Sequence, residues 1–185
     1  MERKNIFLNT YTGKQIKIIS IKPDDICLPD IAHSLSMICR FNGHCSFFYS
    51  VAQHSISIFN ELKNLKYSPK IQLYGLLHDA AEAYICDLPK PIKIYIPQYR
   101  KLESKIQKKI WKAFNIPKPT YREYKIIKEL DVSMMQLEAN MLMKNMDIND
   151  LSLLNLKAEV AHVSSDIIEK EFLEIGEELL KQIKQ

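Results

Sequence analysis

Two apolar runs open the chain. Ile6-Phe7-Leu8 and Gln15-Ile16-Lys17-Ile18-Ile19 flank Thr10-Tyr11-Thr12-Gly13, which reads as two short strands joined by a tight turn. Beyond Pro29 the apolar spacing becomes helical. Asp30 suits the N-cap of a helix carrying Ile31, Leu35 and Ile38, with Asn42-Gly43 as its stop. A second helix is predicted over about 50–64, with Val51, His54, Ile58 and Leu62 on one stripe. Ser68-Pro69 is a cap-then-proline start for a third, which carries Ile71, Leu73, Tyr74, Leu76 and Leu77 into His78-Asp79-Ala80-Ala81-Glu82. Its apolar residues surround the axis, as expected of a central, buried helix. Leu88-Pro89-Lys90-Pro91 is expected to be a non-helical connector, followed by a helix over about 98–114. Pro117 and Pro119 precede a long helix over about 121–144, and Ser164-Ser165-Asp166 caps a last amphipathic helix reaching about 184.

The expected fold is therefore all-α, a helical bundle with a short N-terminal β-hairpin. One domain over 1–185 is expected, with a ribbon over 1–20, site-bearing helices over 30–145 and a closing helix over 164–184, since no linker is long enough to divide it. At 185 residues and 46% hydrophobic, the chain can bury a core without disulfide or metal staples. Four glycines cannot build a Gly-rich dinucleotide or phosphate loop. A formal charge of +4 suits anionic small molecules but is too slight for a stable nucleic-acid partner. No apolar stretch approaches the ~18 residues that a membrane span needs, and no signal peptide is visible at the start. Cys27, Cys39, Cys45 and Cys86 show no Cys-x-x-Cys spacing. The expectation is a reduced cytoplasmic setting, or a host's cytoplasm for a phage-encoded chain. Cys39, His44 and Cys45 lack the further Cys/His pair that a zinc site would need.

Chemistry concentrates in a few positions. His54 shares a helix face with Val51 and Ile58. His78 ends an apolar run and is followed at once by Asp79, while Asp131 lies between Leu130 and Val132. A buried aspartate is costly unless it is paired. Between Tyr74 and Tyr84 the sole basic residue is His78. A divalent cation shared by His54, His78, Asp79 and Asp131 would satisfy all four groups. Hydrogen-bonded core histidines and a solvent-bridged His-Asp pair are the structural alternatives. The mixed nitrogen–oxygen set suits Mn, Co, Zn, Fe or Ni, and also Mg. A six-coordinate ion would keep positions open for water and substrate.

His54, His78-Asp79 and Asp131, in that order, resemble the H…HD…D signature of the HD-domain metal-dependent phosphohydrolases. His78-Asp79-Ala80-Ala81-Glu82-Ala83-Tyr84, followed by Asp87-Leu88-Pro89-Lys90-Pro91-Ile92-Lys93, is similar to the subgroup containing bacterial 5′-deoxynucleotidases. Asp30-Ile31-Ala32-His33-Ser34-Leu35-Ser36, with Ile38-Cys39-Arg40-Phe41 and Gly43-His44, resembles the short hydrolases common in phages and bacteria, among them a dATP triphosphohydrolase. The likeness covers roughly 10–145. It implies that His54, His78, Asp79 and Asp131 bind the metal, that Glu82 is the acid–base residue and that Asp87 is a second acid near the substrate. Glu82, four residues after His78, is expected on the same helical face, aimed at the ion without ligating it. Arg40 and Phe41 resemble the Arg-aromatic pair that meets the nucleotide, although bacterial nucleotidases usually carry tryptophan at the second position. Lys128, three residues before Asp131, is expected on the ion's side of its helix, and Lys93 within reach of the same pocket. His33 and His44 are further candidates for the pocket lining.

The expected function is metal-dependent hydrolysis of deoxynucleotides, leaning to triphosphate release from deoxynucleoside triphosphates of the dATP type. A 5′-deoxynucleotidase and a catalytically silent nucleotide-binding regulator are the alternatives. The apolar positions of the last helix lead us to expect a homo-oligomer.

Overall fold

The computed structural model describes residues 6–144, 156, 158 and 160–184. Residues 1–5 of the expected ribbon, and 145 at the end of the expected catalytic segment, lie outside the described residues. Strands β1 (Leu8–Asn9) and β2 (Gln15–Ile16) pair antiparallel, with Leu8 opposite Ile16. Gly13 takes the left-handed conformation (φ 85°) that closes their turn. Among the described residues the remaining regular structure is helical: α1 (Leu28–Met37), α2 (Val51–Asn64), α3 (Pro69–Leu76), α4 (Glu82–Ile85), α5 (Lys90–Lys93), α6 (Pro97–Ala113), α7 (Tyr121–Leu142) and α8 (Ser165–Lys184). The segment 88–91 is not wholly non-helical as expected, because Pro91 fits the first turn of α5, where its missing N–H costs no bond. An all-α bundle with an N-terminal hairpin is thus what the chain forms. No helix among the described residues is long and apolar enough to cross a membrane.

The capping signals decide where the longer helices start. Ser50 and Gln53 cap α2 reciprocally, Thr120 and Glu123 do the same for α7, and Pro69 opens α3. The first helix departs from expectation. It begins at Leu28, with Cys27 at the N-cap and Pro29 in the first turn, so Asp30 is not the cap. Asp30 is instead buried, accepting the Thr12 amide at 2.7 Å, the Thr12 hydroxyl at 3.0 Å and the Cys27 thiol at 3.1 Å. It fastens the hairpin turn to α1. The helix also stops at Met37 rather than near Gly43. Ile38 accepts the Val51 amide, and a 3-10 turn over Arg40–Gly43 follows.

Helices α1, α2, α3 and α8 pack against one another, α7 lies against α2 and α3, and α6 packs on the turn Pro23–Asp25. The main core contains Ile31, Leu35, Val51, Leu73, Leu76, Leu77, Ile106, Ile110 and Phe172. A smaller cluster of Ile58, Leu62 and Met134 fills the seam between α2 and α7. Gly75 permits the close approach of α3 to α2, because a Cβ there would lie 2.3 Å from Leu62 Cδ1. That seam sets the distance between the helices bearing His54 and Asp131.

Candidate metal centre

Three segments deliver the ionisable groups: His54 from the first turn of α2, Asp131 from the middle of α7, and His78-Asp79 from the turn after α3. The doublet was expected inside a continuous helix reaching Glu82. Helix α3 instead ends at Leu76, and residues 77–81 form successive turns before α4. The bonds there span three residues (Ala80 to Leu77, Glu82 to Asp79, Ala83 to Ala80). Glu82 is consequently not on one α-helical face with His78; the tightened turn sets its direction.

One ligand atom from each of His54, His78, Asp79 and Asp131 falls within 4.8 Å of the others. His54 Nε2 is 3.2 Å from Asp131 Oδ1, His78 Nε2 is 3.7 Å from the same oxygen, and His78 Nε2 is 3.0 Å from Asp79 Oδ2. The outer nitrogens determine the tautomers. His78 Nδ1 donates to the Gly75 carbonyl at 2.8 Å, and His54 Nδ1 donates to both Glu138 oxygens at 2.9 and 3.0 Å. Carbonyls and carboxylates only accept, so both Nδ1 atoms carry hydrogen and both Nε2 atoms face the acids. Nε2 can bear a lone pair or a second proton, and either way the centre calls for positive charge. His78 Nε2 is buried without a hydrogen-bond partner. A divalent cation would satisfy the two imidazole nitrogens and the two carboxylates together, so the residues fit the group.

Titration points the same way. Burial works against charge on His78, but the Asp79 and Asp131 carboxylates outweigh it and hold the imidazole well above its usual value. Burial likewise opposes ionisation of Asp79 and Asp131, and the imidazoles outweigh it, leaving both acids below the usual carboxylate range.

Glu138 was missed from the sequence. It is 0% exposed and takes the Tyr49 hydroxyl at 3.0 Å, besides His54, while Arg40 Nε lies 3.1 Å from its Oε2. Burial pushes its carboxyl up, and His54 and Arg40 together bring it below its ordinary value. The available signal was spacing: Glu138 lies seven residues after Asp131, two turns along the same face.

Glu82 is buried near the cluster. Its Oε1 accepts from Lys93 at 2.8 Å and its Oε2 has no partner. Burial first, then the Asp79 and Asp87 charges, push its carboxyl well above the ordinary range, against the pull of Lys93. A carboxyl held above its ordinary range beside a metal cluster has the character of a group that takes and returns protons. Asp87 follows Cys86, whose backbone (φ 61°, ψ 166°) is a conformation that side chains other than glycine rarely adopt. Burial raises Asp87, with Arg40 and Lys93 opposing. Phe41 and Asn42 are left-handed too (φ 52° and 53°), and the Arg40 guanidinium lies 5.2 Å from the Phe41 ring centre.

Of the expected cations, Arg40 pairs with Glu138, Lys93 with Glu82 and Glu103, and Lys128 with Asp131 at 2.5 Å. His33 bonds Glu169 on α8 at 2.8 Å and stacks on Tyr11, so it stitches α1 to α8 and the hairpin. His44 is exposed. Cys39 and Cys45 are free thiols, and Cys45 donates to the Arg40 carbonyl.

No family model matches the chain. It is similar to the uncharacterized protein YfdR of Escherichia coli (strain K12), 42% identical over 111 residues, 60% of each chain. It is also similar to the uncharacterized protein RCAP_rcc00048 of Rhodobacter capsulatus, 31% identical over 120 residues, 62% of this chain and 61% of that protein. The chain thus spans about three fifths of the length of the curated relatives it matches.

Proposed function

We propose that the protein is a metal-dependent hydrolase of deoxynucleotide phosphates, with deoxynucleoside triphosphates as substrates and inorganic triphosphate as product. One observation carries the reading: two imidazoles, each tautomer-locked through Nδ1, turn Nε2 towards two carboxylates inside a 4.8 Å cluster. The order of those four residues, shared with the HD-domain phosphohydrolases, supports the nucleotide class.

His54, His78, Asp79 and Asp131 would hold the ion, which when bound supplies Lewis acidity and acidifies a nearby water. Glu82 Oε2, buried and unpartnered, accepts the proton of the water that attacks the α-phosphorus; the P–O bond to the nucleoside 5′ oxygen breaks, and that oxygen takes up a proton to leave as the nucleoside while triphosphate is released. Arg40 and Lys128 offset charge on the phosphoryl oxygens. Asp87, which feels the charges of Arg40 and Lys93, orients the substrate. The buried, unpartnered Glu82 oxygen favours an enzyme over a silent regulator.

A second reading, a 5′-deoxynucleotidase acting on monophosphates, gains from the pairing of Arg40, Lys93 and Lys128 within the protein, which leaves less positive charge for three phosphates. The test is incubation of purified protein with each nucleotide and Mn or Co, with products identified by mass. Triphosphate plus nucleoside is the expected result, orthophosphate from monophosphates would establish the second reading, and no hydrolysis of any nucleotide would refute both.

A further inference from the structure

Lys93 is held on three sides. Its ammonium lies 2.8 Å from Glu82 Oε1 and 2.8 Å from Glu103 Oε1, and 5.4 Å from the centre of the Tyr99 ring. Tyr99 is itself tied down, donating its hydroxyl to the Cys86 carbonyl at 2.5 Å. Lys93 sits at the end of the four-residue helix α5, whereas Glu103 and Tyr99 belong to α6, a helix of 17 residues. The long helix therefore immobilises a lysine that the short one carries. A free lysine side chain populates many rotamers, and two charge-assisted bonds with an aromatic wall suppress that freedom. Lys93 fixes one oxygen of Glu82 and leaves the other, Oε2, without a partner.

We propose that Glu103 is a positioning residue: by anchoring Lys93 from α6, it fixes the orientation of the Glu82 carboxylate in the metal centre. Among the described residues, the ion pair of Glu103 is with Lys93, so its influence on Glu82 passes through that lysine. The proposal rests on the hydrolytic reading of the site. Lys93 is raised above its ordinary value because Glu82 and the Glu103 bond outweigh burial, in keeping with a fully charged, bound ammonium.

The test is a double-variant cycle on the manganese-loaded protein, using Glu103→Gln, Lys93→Met and the two combined. Glu103 is partly exposed, so its replacement leaves the fold intact, checked by melting temperature and by manganese affinity. The expected result is a kcat about tenfold lower for Glu103→Gln with KM unchanged, and a combined variant no slower than Lys93→Met alone. Independently of turnover, the 15N-labelled Lys93 ammonium should give an exchange-protected NMR signal that Glu103→Gln abolishes. Wild-type kcat in Glu103→Gln, multiplying losses in the combined variant, or an ammonium signal indifferent to Glu103 would overturn the role while the hydrolase reading stands. A wild type that hydrolyses no nucleotide would overturn that reading and this role with it.

Discussion

Glu138→Gln tests the centre most sharply, because the two side chains have the same shape and differ in charge. Glu138 is wholly buried and serves His54, Tyr49 and Arg40 at once. The amide can still accept from His54 or Tyr49, but its NH2 then faces another donor, and the buried Arg40 guanidinium loses its counter-ion. Removing one member of a buried ion pair costs about 3–5 kcal/mol; with one acceptor kept, the lower end applies. A chain of this size shifts by about 2–4 °C per kcal/mol, so the metal-free variant should melt about 6–12 °C below wild type. His54 also loses the carboxylate that makes Nε2 a better donor to a cation. Changes of that kind weaken metal binding about 10–100-fold. Differential scanning calorimetry and isothermal titration with manganese read the two effects separately. Arg40→Gln combined with Glu138→Gln should regain part of the melting temperature but none of the metal affinity, since it repairs the charge balance alone. Unchanged melting together with unchanged manganese affinity in Glu138→Gln would refute the account of His54.

Glu82→Ala should bind manganese like wild type and lose turnover, whereas Asp79→Ala should lose both; full activity in Glu82→Ala would remove it as the base. The metal-free protein should become less stable as pH rises from about 6.5. His78 is raised in the folded state, so its contribution is complete below the unfolded value of about 6.5 and disappears as pH climbs through the folded value. Manganese affinity should rise over the same interval, because the ion competes with that proton, and paired calorimetric and binding titrations would show the opposite slopes. Gly75→Ala should destabilise by about 1–3 kcal/mol, as its Cβ would meet the buried Leu62 at 2.3 Å; unaltered chemical denaturation would show that the α2–α3 seam can yield.

Long helices were legible from their apolar period and the breakers before them: α2 and α7 start close to the expected 50 and 121, where Ser50 and Thr120 prove to cap them. Short-range turn chemistry was harder to read. Pro29 is compatible with a helix beginning before it, and Asp30 gained more from the hairpin's donors than from capping. The break after Leu76 was hidden because Ala80-Ala81-Glu82 are all good helix formers, and turns of three-residue reach satisfy the same composition. His54, His78, Asp79 and Asp131 could be grouped because each sits, uneconomically for a charged or polar group, in an apolar stretch. Glu138 escaped because its three partners, His54, Tyr49 and Arg40, come from distant parts of the chain. The engagement of Lys93 by Glu103 was equally invisible, since Lys93 was expected only at the pocket and Glu103 alone reads as an ordinary surface charge.

Because Arg40, Lys93 and Lys128 already hold carboxylates, a phosphate group bound as proposed would exchange partners within the protein instead of meeting bare cations. Part of its attraction is offset by the internal pairs it loosens. Binding at such a centre should depend less steeply on ionic strength than at an open lysine patch, since fewer loosely held counter-ions are displaced. Selection among anions then falls to shape and to the reach of the phosphoryl group, with raw charge a lesser discriminator.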